Sequence, residues 1–286
     1  MAGYTAVTNI TELVPEITEQ VDYIFQNNAI GQSLVTYRDI SGRPGVTEEF
    51  PIFTEVVAST SVSETSTPTS HQMDIAMATL TVAKRSVFVG LGDLANKSMS
   101  ATVADIARAM GMAKAKAVDA SIFNVISTTN YATSAGSTDQ AMSITYVLNA
   151  INILEENEVD FPLSIVLHPH QYNAVRAALT PIANDDGVSV DIANDMARNA
   201  FVSRMFGLDW FVTNRVSSRT VGITADTWSG LVFNKRGLGY VYSDLQVAGI
   251  EVLRSTEAVS QLLANWADSA GVIYSSGVCT LYSTSA

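Results

Sequence analysis

Residues 96–126, NKSMSATVADIARAMGMAKAKAVDASIFNVI, carry an apolar seam that recurs at alternating steps of four and three: Met99, Val103, Ile106, Met110, Ala113, Ala117 and Ala120. That spacing lines the side chains along one face of an α-helix, and no proline interrupts the run. Ser98 or Ser100 can cap its start. A helix of this length spans about 45 Å, more than one small core requires, so the stretch reads as a strut shared between a core and a neighbour. Its seam of alanine and methionine lets whatever lies on it approach closely. Gly111, in mid-run, costs about 1 kcal/mol in an exposed helix interior.

The 286 residues allow one large domain or two ordinary ones. A chain of that length buries about three quarters of its unfolded surface without staples. Its single cysteine, Cys279, lies in an alternating apolar run and reads as a small buried hydrophobe, not a nucleophile. Met1 to Pro15 lacks the basic start and apolar centre of a secretory signal, and no run of about eighteen apolar residues is present. A soluble, cytosolic product is expected, with no membrane partner.

Sixteen Lys plus Arg against twenty-eight Asp plus Glu give a net charge of -12. Tight phosphate binding needs clustered basic side chains; here they are scattered, which argues against a nucleic-acid reader. A container for nucleic acid is a different case, because an acidic wall does not grip its contents. Charged residues make up 15% of the chain and hydrophobic ones 47%, a balance that suggests extensive subunit contacts.

Thr11 to Ile30, with Leu13, Ile17, Val21, Ile24 and Phe25 at helical spacing, reads as an amphipathic helix on an N-terminal arm. After the break at Ser41 to Gly45 the pattern turns to strand over Val46 to Glu55, with Pro51 arguing for an edge. Ser59 to Ser70 is a polar loop tip, and strand character resumes from Met73 to Val89. Two strands around such a tip form a long hairpin that cannot bury both faces against its own chain. From Val46 to Ala83 the hairpin carries Glu48, Glu49, Glu55, Glu64 and Asp74 and no Lys or Arg. From Lys84 to Lys116 the balance inverts, with Lys84, Arg85, Lys97, Arg108, Lys114 and Lys116 against Asp93 and Asp105. The acidic hairpin of one subunit is therefore expected to lie over the basic strut of the next, through Glu48, Glu49, Phe50, Phe53 and Glu55 on one side and Arg85, Lys97, Arg108, Lys114 and Lys116 on the other.

Beyond a polar linker, Tyr131 to Asp139, a second compact region begins. Gln140 to Glu158 reads as a helix, Leu163 to Leu167 as a buried strand, His170 to Leu179 as a helix, Asn184 to Gly187 as a turn and Ala193 to Phe206 as a helix. Trp210 to Thr213 and Gly230 to Phe233 are expected strands, followed by a turn at Asn234 to Gly237. Tyr240 to Leu253 is a long strand broken at Gly249, Glu257 to Trp266 a helix, and Val272 to Tyr282 a strand. Strands and helices mixed without a regular βαβ repeat point to an α+β fold.

Gly90-Leu91-Gly92-Asp93-Leu94-Ala95 mimics a dinucleotide fingerprint, but no second strand with an acidic residue follows about twenty positions on. The glycines read better as a bend between hairpin and strut. His168 and His170 flank Pro169 after a strand, yet spacing indicates no third metal ligand. No catalytic, cofactor or metal residue is assigned.

The order of N-terminal arm, long two-stranded extension, long helix, central α/β lobe and returning strands resembles the major capsid proteins of tailed bacteriophages, whose fold encapsulin shells also use. Its most specific residues are the helix that follows the extension and the stretch Leu163-Ser-Ile-Val-Leu-His-Pro-His-Gln-Tyr-Asn-Ala-Val. The resemblance implies an N-terminal arm over 1–42, an extended loop over 43–90, a peripheral domain with a spine helix over 91–139, an axial domain over 140–236 and return strands of the peripheral domain over 237–286. It implies a structural, non-enzymatic subunit without cofactors. Copies would assemble as pentamers and hexamers into an icosahedral shell around double-stranded DNA, in a virion assembled in the host cytoplasm. The portal and, where used, separate scaffolding and decoration proteins would be its partners. The alternatives are an encapsulin-like compartment, or a soluble enzyme using Gly90 or the His168/His170 pair. On the charge pattern, reversing Glu48 and Glu49 to lysine is expected to impair assembly while leaving the subunit soluble, as particle counts by electron microscopy at low salt would register.

Overall fold

The structure, a computed structural model, describes residues 21–25, 29–53, 75–92, 103–125, 133–137, 140–185, 204–216, 218–221, 224–253 and 259–284. A helical turn at 21–25 leads to α1 (Gly31–Leu34), β1 (Thr36–Asp39), β2 (Thr47–Phe53), β3 (Ile75–Thr81), β4 (Ala83–Gly92) and the strut α2 (Val103–Phe123). Then come β5 (Ser134–Gly136), α3 (Ile144–Glu156), β6 (Leu163–Leu167), α4 (Pro169–Asp185), β7 (Arg204–Met205), β8 (Leu208–Val212) and β9 (Ser218–Val221). β10 (Thr224–Asn234), β11 (Leu238–Leu253), β12 (Val259–Val272), a 3-10 turn at Ser275–Gly277 and β13 (Val278–Thr284) complete the order.

Two sheets organise these elements, and the hairpin β2–β3 stands apart from both. The first sheet runs β1-β11-β12-β4, with β1 parallel to β11 and the other pairs antiparallel. The second runs β5-β13-β10-β6-β8-β7, with β9 added on β10. Residues two apart on a strand share a face, so Tyr240, Tyr242, Trp266 and Ala264 form one side of the first sheet. These residues pack in the same clusters as Ala107, Met110, Ala115, Val118 and Ile122 of α2. Val166, Leu231, Phe233 and Val278 of the second sheet extend the larger of those clusters. The other face of that second sheet closes around α3 and α4 through Val147, Leu154, Val175, Ile165 and Leu281.

The strut is present as expected over its described part, and residues 96–102 lie outside the described residues. Its inward face is rotated from the apolar seam. Ala107, Met110, Lys114, Ala115, Val118, Asp119 and Ile122 are buried, whereas Ala113, Ala117 and Ala120 are only half-buried. The buried face carries two charges, which a hydrophobic period cannot enlist. Asp119 accepts hydrogen bonds from the Gly31 N–H at 2.8 Å and the Ile30 N–H at 3.4 Å, and pairs with the Arg215 guanidinium. One carboxylate thereby joins strut, arm and lobe. Gly111 has its reason here too: a Cβ on it would stand 2.8 Å from the Val21 carbonyl oxygen, so the arm crosses the strut at that point.

Several expectations are corrected. Of the helix expected over 257–266, residues 259–266 are strand, part of β12: both edges of β12 are paired, to β11 and β4, and Ala264, Trp266 and Asp268 alternate inward. The Gly90–Gly92 bend is the end of β4, its backbone paired with Val259 to Gln261. The strand expected from Met73 to Val89 divides at Val82, β3 pairing with β2 and β4 joining the first sheet. Within the linker 131–139, β5 pairs with β13. The 3-10 turn divides the strand expected over 272–282, and β13, beyond the turn, pairs with β10 in the second sheet. Of the helix expected at 193–206, residues 204–205 are strand and 193–203 lie outside the described residues.

Removing the Asp119 carboxylate takes the counter-charge from a partly buried guanidinium and a buried acceptor from the Gly31 N–H. Asp119→Ala is expected to destabilise the subunit by about 3–5 kcal/mol, read as a lower urea midpoint with unchanged slope.

Candidate functional site, an assembly surface

Direct cross-strand partners share a face of a hairpin, and the register of β2 and β3 sorts its side chains into two sets. Glu48 with Leu80, Phe50 with Ala78 and Ile52 with Ala76 form the inner face; Thr47 with Thr81, Glu49 with Thr79, Pro51 with Met77 and Phe53 with Ile75 form the outer one. On the inner face Phe50 and Leu80 are buried in a cluster with Ile40 and Val241. The outer face is uncovered: Phe53 is 62% exposed and Met77 56%. Arg38 of β1 grips the root. Its Nη1 donates to Glu48 Oε1 at 2.6 Å and to the Glu49 carbonyl at 3.1 Å, and its guanidinium lies 4.6 Å from the centre of the Phe50 ring.

The expected interface residues separate accordingly. Glu49 and Phe53 are exposed on the outer face, and Arg108 and Lys116 are exposed on α2. Glu48 is paired inside its own subunit, and Phe50 is part of the core, so neither is spare for a neighbour. Lys114 is 1% exposed; its Nζ donates to Asp22 Oδ1 at 3.0 Å and lies 4.7 Å from the Phe25 ring centre and 5.4 Å from that of Tyr242. It fastens the arm to the strut. Arg85 pairs with Asp268 at 2.6 Å and reaches Ser121 at 3.2 Å. Glu55 and Lys97 lie outside the described residues. Between Arg108 and Lys116 stands Met112, also exposed; positions four apart on a helix stack into one stripe.

Sequence reasoning missed Arg38, Asp22 and Asp268, the partners of these charges. Periodicity offered no signal for them, because each is defined by a residue on another element.

The other candidates serve the core. His168 is buried and stacks on Trp228, ring centres 3.6 Å apart, while its Nδ1 accepts the His170 N–H at 3.3 Å. Burial, and next the charge of His170, hold its pKa below the ordinary imidazole value. Gln171 then ties α4 to β10 and β13, donating to the carbonyls of Trp228 and Leu281 and to Ser283 Oγ. Among the described residues no group of three or more His, Cys, Asp or Glu could hold a metal ion. Cys279 is buried as expected, and burial pushes its thiol up to about 12.

Asp268 is buried on the strut side of β12, facing Arg85 from β4, Tyr240 from β11 and Ser121 from α2. Burial raises its pKa, against the opposing pull of Arg85. The folded state therefore holds this proton more tightly than the unfolded chain. Its contribution favours folding below the ordinary carboxylate range and is lost as pH rises through the raised value. Asp268→Asn is expected to gain stability relative to the parent at pH 7 and to lose that advantage near pH 4, measured by urea titrations at the two pH values.

A family model described as phage capsid protein matches residues 79–275. No curated protein sequence matches the chain. Among solved structures, one of Mycobacterium phage Che8 is similar with a TM-score of 0.67 and 14% identity over 88% of this chain and 90% of that one. The capsid structure of Cyanophage P-SCSP1u gives 0.64 and 17%, covering 90% of this chain and 89% of the other. A virus-like particle from Pyrococcus furiosus gives 0.59 and 11%, covering 94% and 99%.

Proposed function

Since the chain belongs to the phage capsid protein family, we propose that copies of it gather as pentamers and hexamers and close an icosahedral shell around double-stranded DNA. The subunit is a structural component of a capsid, and its fold is that of tailed-phage capsid proteins. The observation that carries the shell reading is the hairpin, whose outer face leaves Phe53, Met77 and Ile75 in solvent. An exposed apolar strand pair of this kind is a contact surface in want of a partner. A net charge of -12 suits a wall that encloses DNA without gripping it, since phosphate and wall repel. Portal, scaffolding and decoration proteins fit the same reading as further partners, and the host cytoplasm as the place of assembly.

The partner surface we assign to the hairpin is the strut of a neighbouring copy. Glu49 and Phe53 are four strand residues apart, about 13 Å. Arg108 and Lys116 are eight helical residues apart, about 12 Å. The outer face of the hairpin thus presents a carboxylate and apolar groups over a length comparable to the stripe of Arg108, Met112 and Lys116. Charge complementarity of this sort fixes register and speeds encounter more than it adds affinity.

The paired variant Arg108→Glu with Lys116→Glu is expected to lower shell yield at least tenfold at low salt, and adding Glu49→Lys to restore part of it, both counted by negative-stain electron microscopy. Full yield with both strut charges reversed would refute this interface. Closed angular shells containing nuclease-protected DNA would support the capsid reading; shells filled with protein would instead favour a cargo compartment, and a monomer or dimer at every concentration would overturn both.

A further inference from the structure

Two glycines stand opposite each other in the first sheet, Gly239 on β11 and Gly271 on β12. A glycine pair inside a sheet gives up side-chain packing and costs backbone entropy, and it marks a place that something else approaches closely. Here that something is Leu80. A Cβ on Gly271 would stand 2.3 Å from Leu80 Cδ2, and one on Gly239 would stand 3.3 Å from Leu80 Cδ1 and 2.6 Å from Ile273 Cδ1. The missing side chains leave a notch on the sheet face opposite the strut, walled by Ile273, and the Leu80 side chain sits in it. Val241, two residues along β11 on the same face, packs with Phe50 and Ile40 beside it.

We infer that Leu80 and the Gly239–Gly271 pair are positioning residues for assembly: they form the seat that sets the direction in which the hairpin leaves the subunit. The inference rests on the shell reading for its purpose but not for its geometry. Among the described residues the hairpin meets the first sheet at its root, where Leu80 enters the notch, Phe50 joins the cluster and Arg38 holds Glu48. From the Glu48–Leu80 pair to the Phe53–Ile75 pair the strands run five residues, about 17 Å, so the hairpin is a lever with its fulcrum in the notch. A methyl group on Gly271 would lie about 1.5 Å inside an ordinary carbon contact of about 3.8 Å. The group it meets is the end of a leucine side chain, which can move, and Gly271 has ordinary strand backbone that alanine accepts. The sheet can keep its pairing while Leu80 leaves its seat, and a displacement at the root is carried outward to Phe53.

The test compares the full chain with Gly271→Ala, Leu80→Ala and the double variant. Shell yield and diameter are counted by electron microscopy, and amide exchange of residues 78–82 is measured in the unassembled subunit. Gly271→Ala is expected to unfold cooperatively, to exchange at least tenfold faster over 78–82, and to give at least tenfold fewer shells or shells of altered diameter. The double variant, in which the added methyl occupies space vacated by leucine, is expected to recover yield to within about threefold of the parent. Leu80→Ala adds no atoms to the sheet and should show the same loss, which keeps the test alive if Gly271→Ala fails to fold. Parental yield and diameter from Gly271→Ala, or a double variant no better than the single one, would overturn the inference. Should the parent chain form no shells, the shell reading fails by itself, and the exchange rates decide the seat: acceleration in either single variant supports it, and unchanged rates in both overturn it.

Discussion

A carboxylate with no access to water holds the subunit together. Asp119 is fully buried on the strut, and a charge in that position is tolerable only if every neighbour is arranged around it. The arrangement draws on each part of the molecule: the backbone N–H groups of Ile30 and Gly31 where α1 begins, the guanidinium of Arg215 from the lobe, and the helix that carries Asp119 itself. Lys114, a little over one turn earlier, repeats the device with the arm, its charge met by Asp22 and the faces of Phe25 and Tyr242. Apolar burial would allow the strut to slide or rotate against its neighbours with modest loss. Two buried charges with fixed partners do not, because each displaced ångström leaves a charge uncompensated in a medium that screens it poorly.

Much of the architecture is legible in the sequence where a single period dominates. Leu163 to Leu167 reads as a buried strand because four of its five residues are apolar, and Pro169 just beyond it opens the helix that Gln171 anchors. The strut is readable as a helix, but not its orientation: Ala113, Ala117 and Ala120 outvote Lys114 and Asp119 in any count of hydrophobic residues, and the structure turns the charged pair inward. β12 fails for a related reason. Val259, Leu263 and Trp266 fall at helical spacing, while the face toward the strut is made by Ala264, Trp266 and Asp268, one of them an acid. Strand pairing on both sides overrode local pattern there, as tertiary context does.

The proposed assembly surface divides along the same line. Exposure of Glu49, Phe53, Arg108 and Lys116 follows from alternation and helical spacing, so pattern reasoning could find them. That Glu48, Phe50 and Lys114 are committed inside the subunit depends on Arg38, Val241 and Asp22, contacts made across 10, 191 and 92 positions of chain. The first sheet consequently works as a plate with two loaded sides. Tyr240, Tyr242 and Trp266 bear the strut, and Gly239, Val241 and Gly271 bear the root of the hairpin.

β13 lies between β5 and β10 in the second sheet, although it follows every other described strand along the chain. During synthesis the β13-facing edges of residues 227–233 and 134–136 therefore stay without their partner until 278–284 are made, and the lobe gains its full set of pairings only once translation has passed Thr284. A message broken or a ribosome stalled before Val278 yields a chain whose lobe cannot close, and such a chain would be triaged by chaperones and proteases instead of being built into an assembly of many copies, where one defective member would be a leak. The order of the strands makes synthesis through Thr284 a condition for closing the lobe.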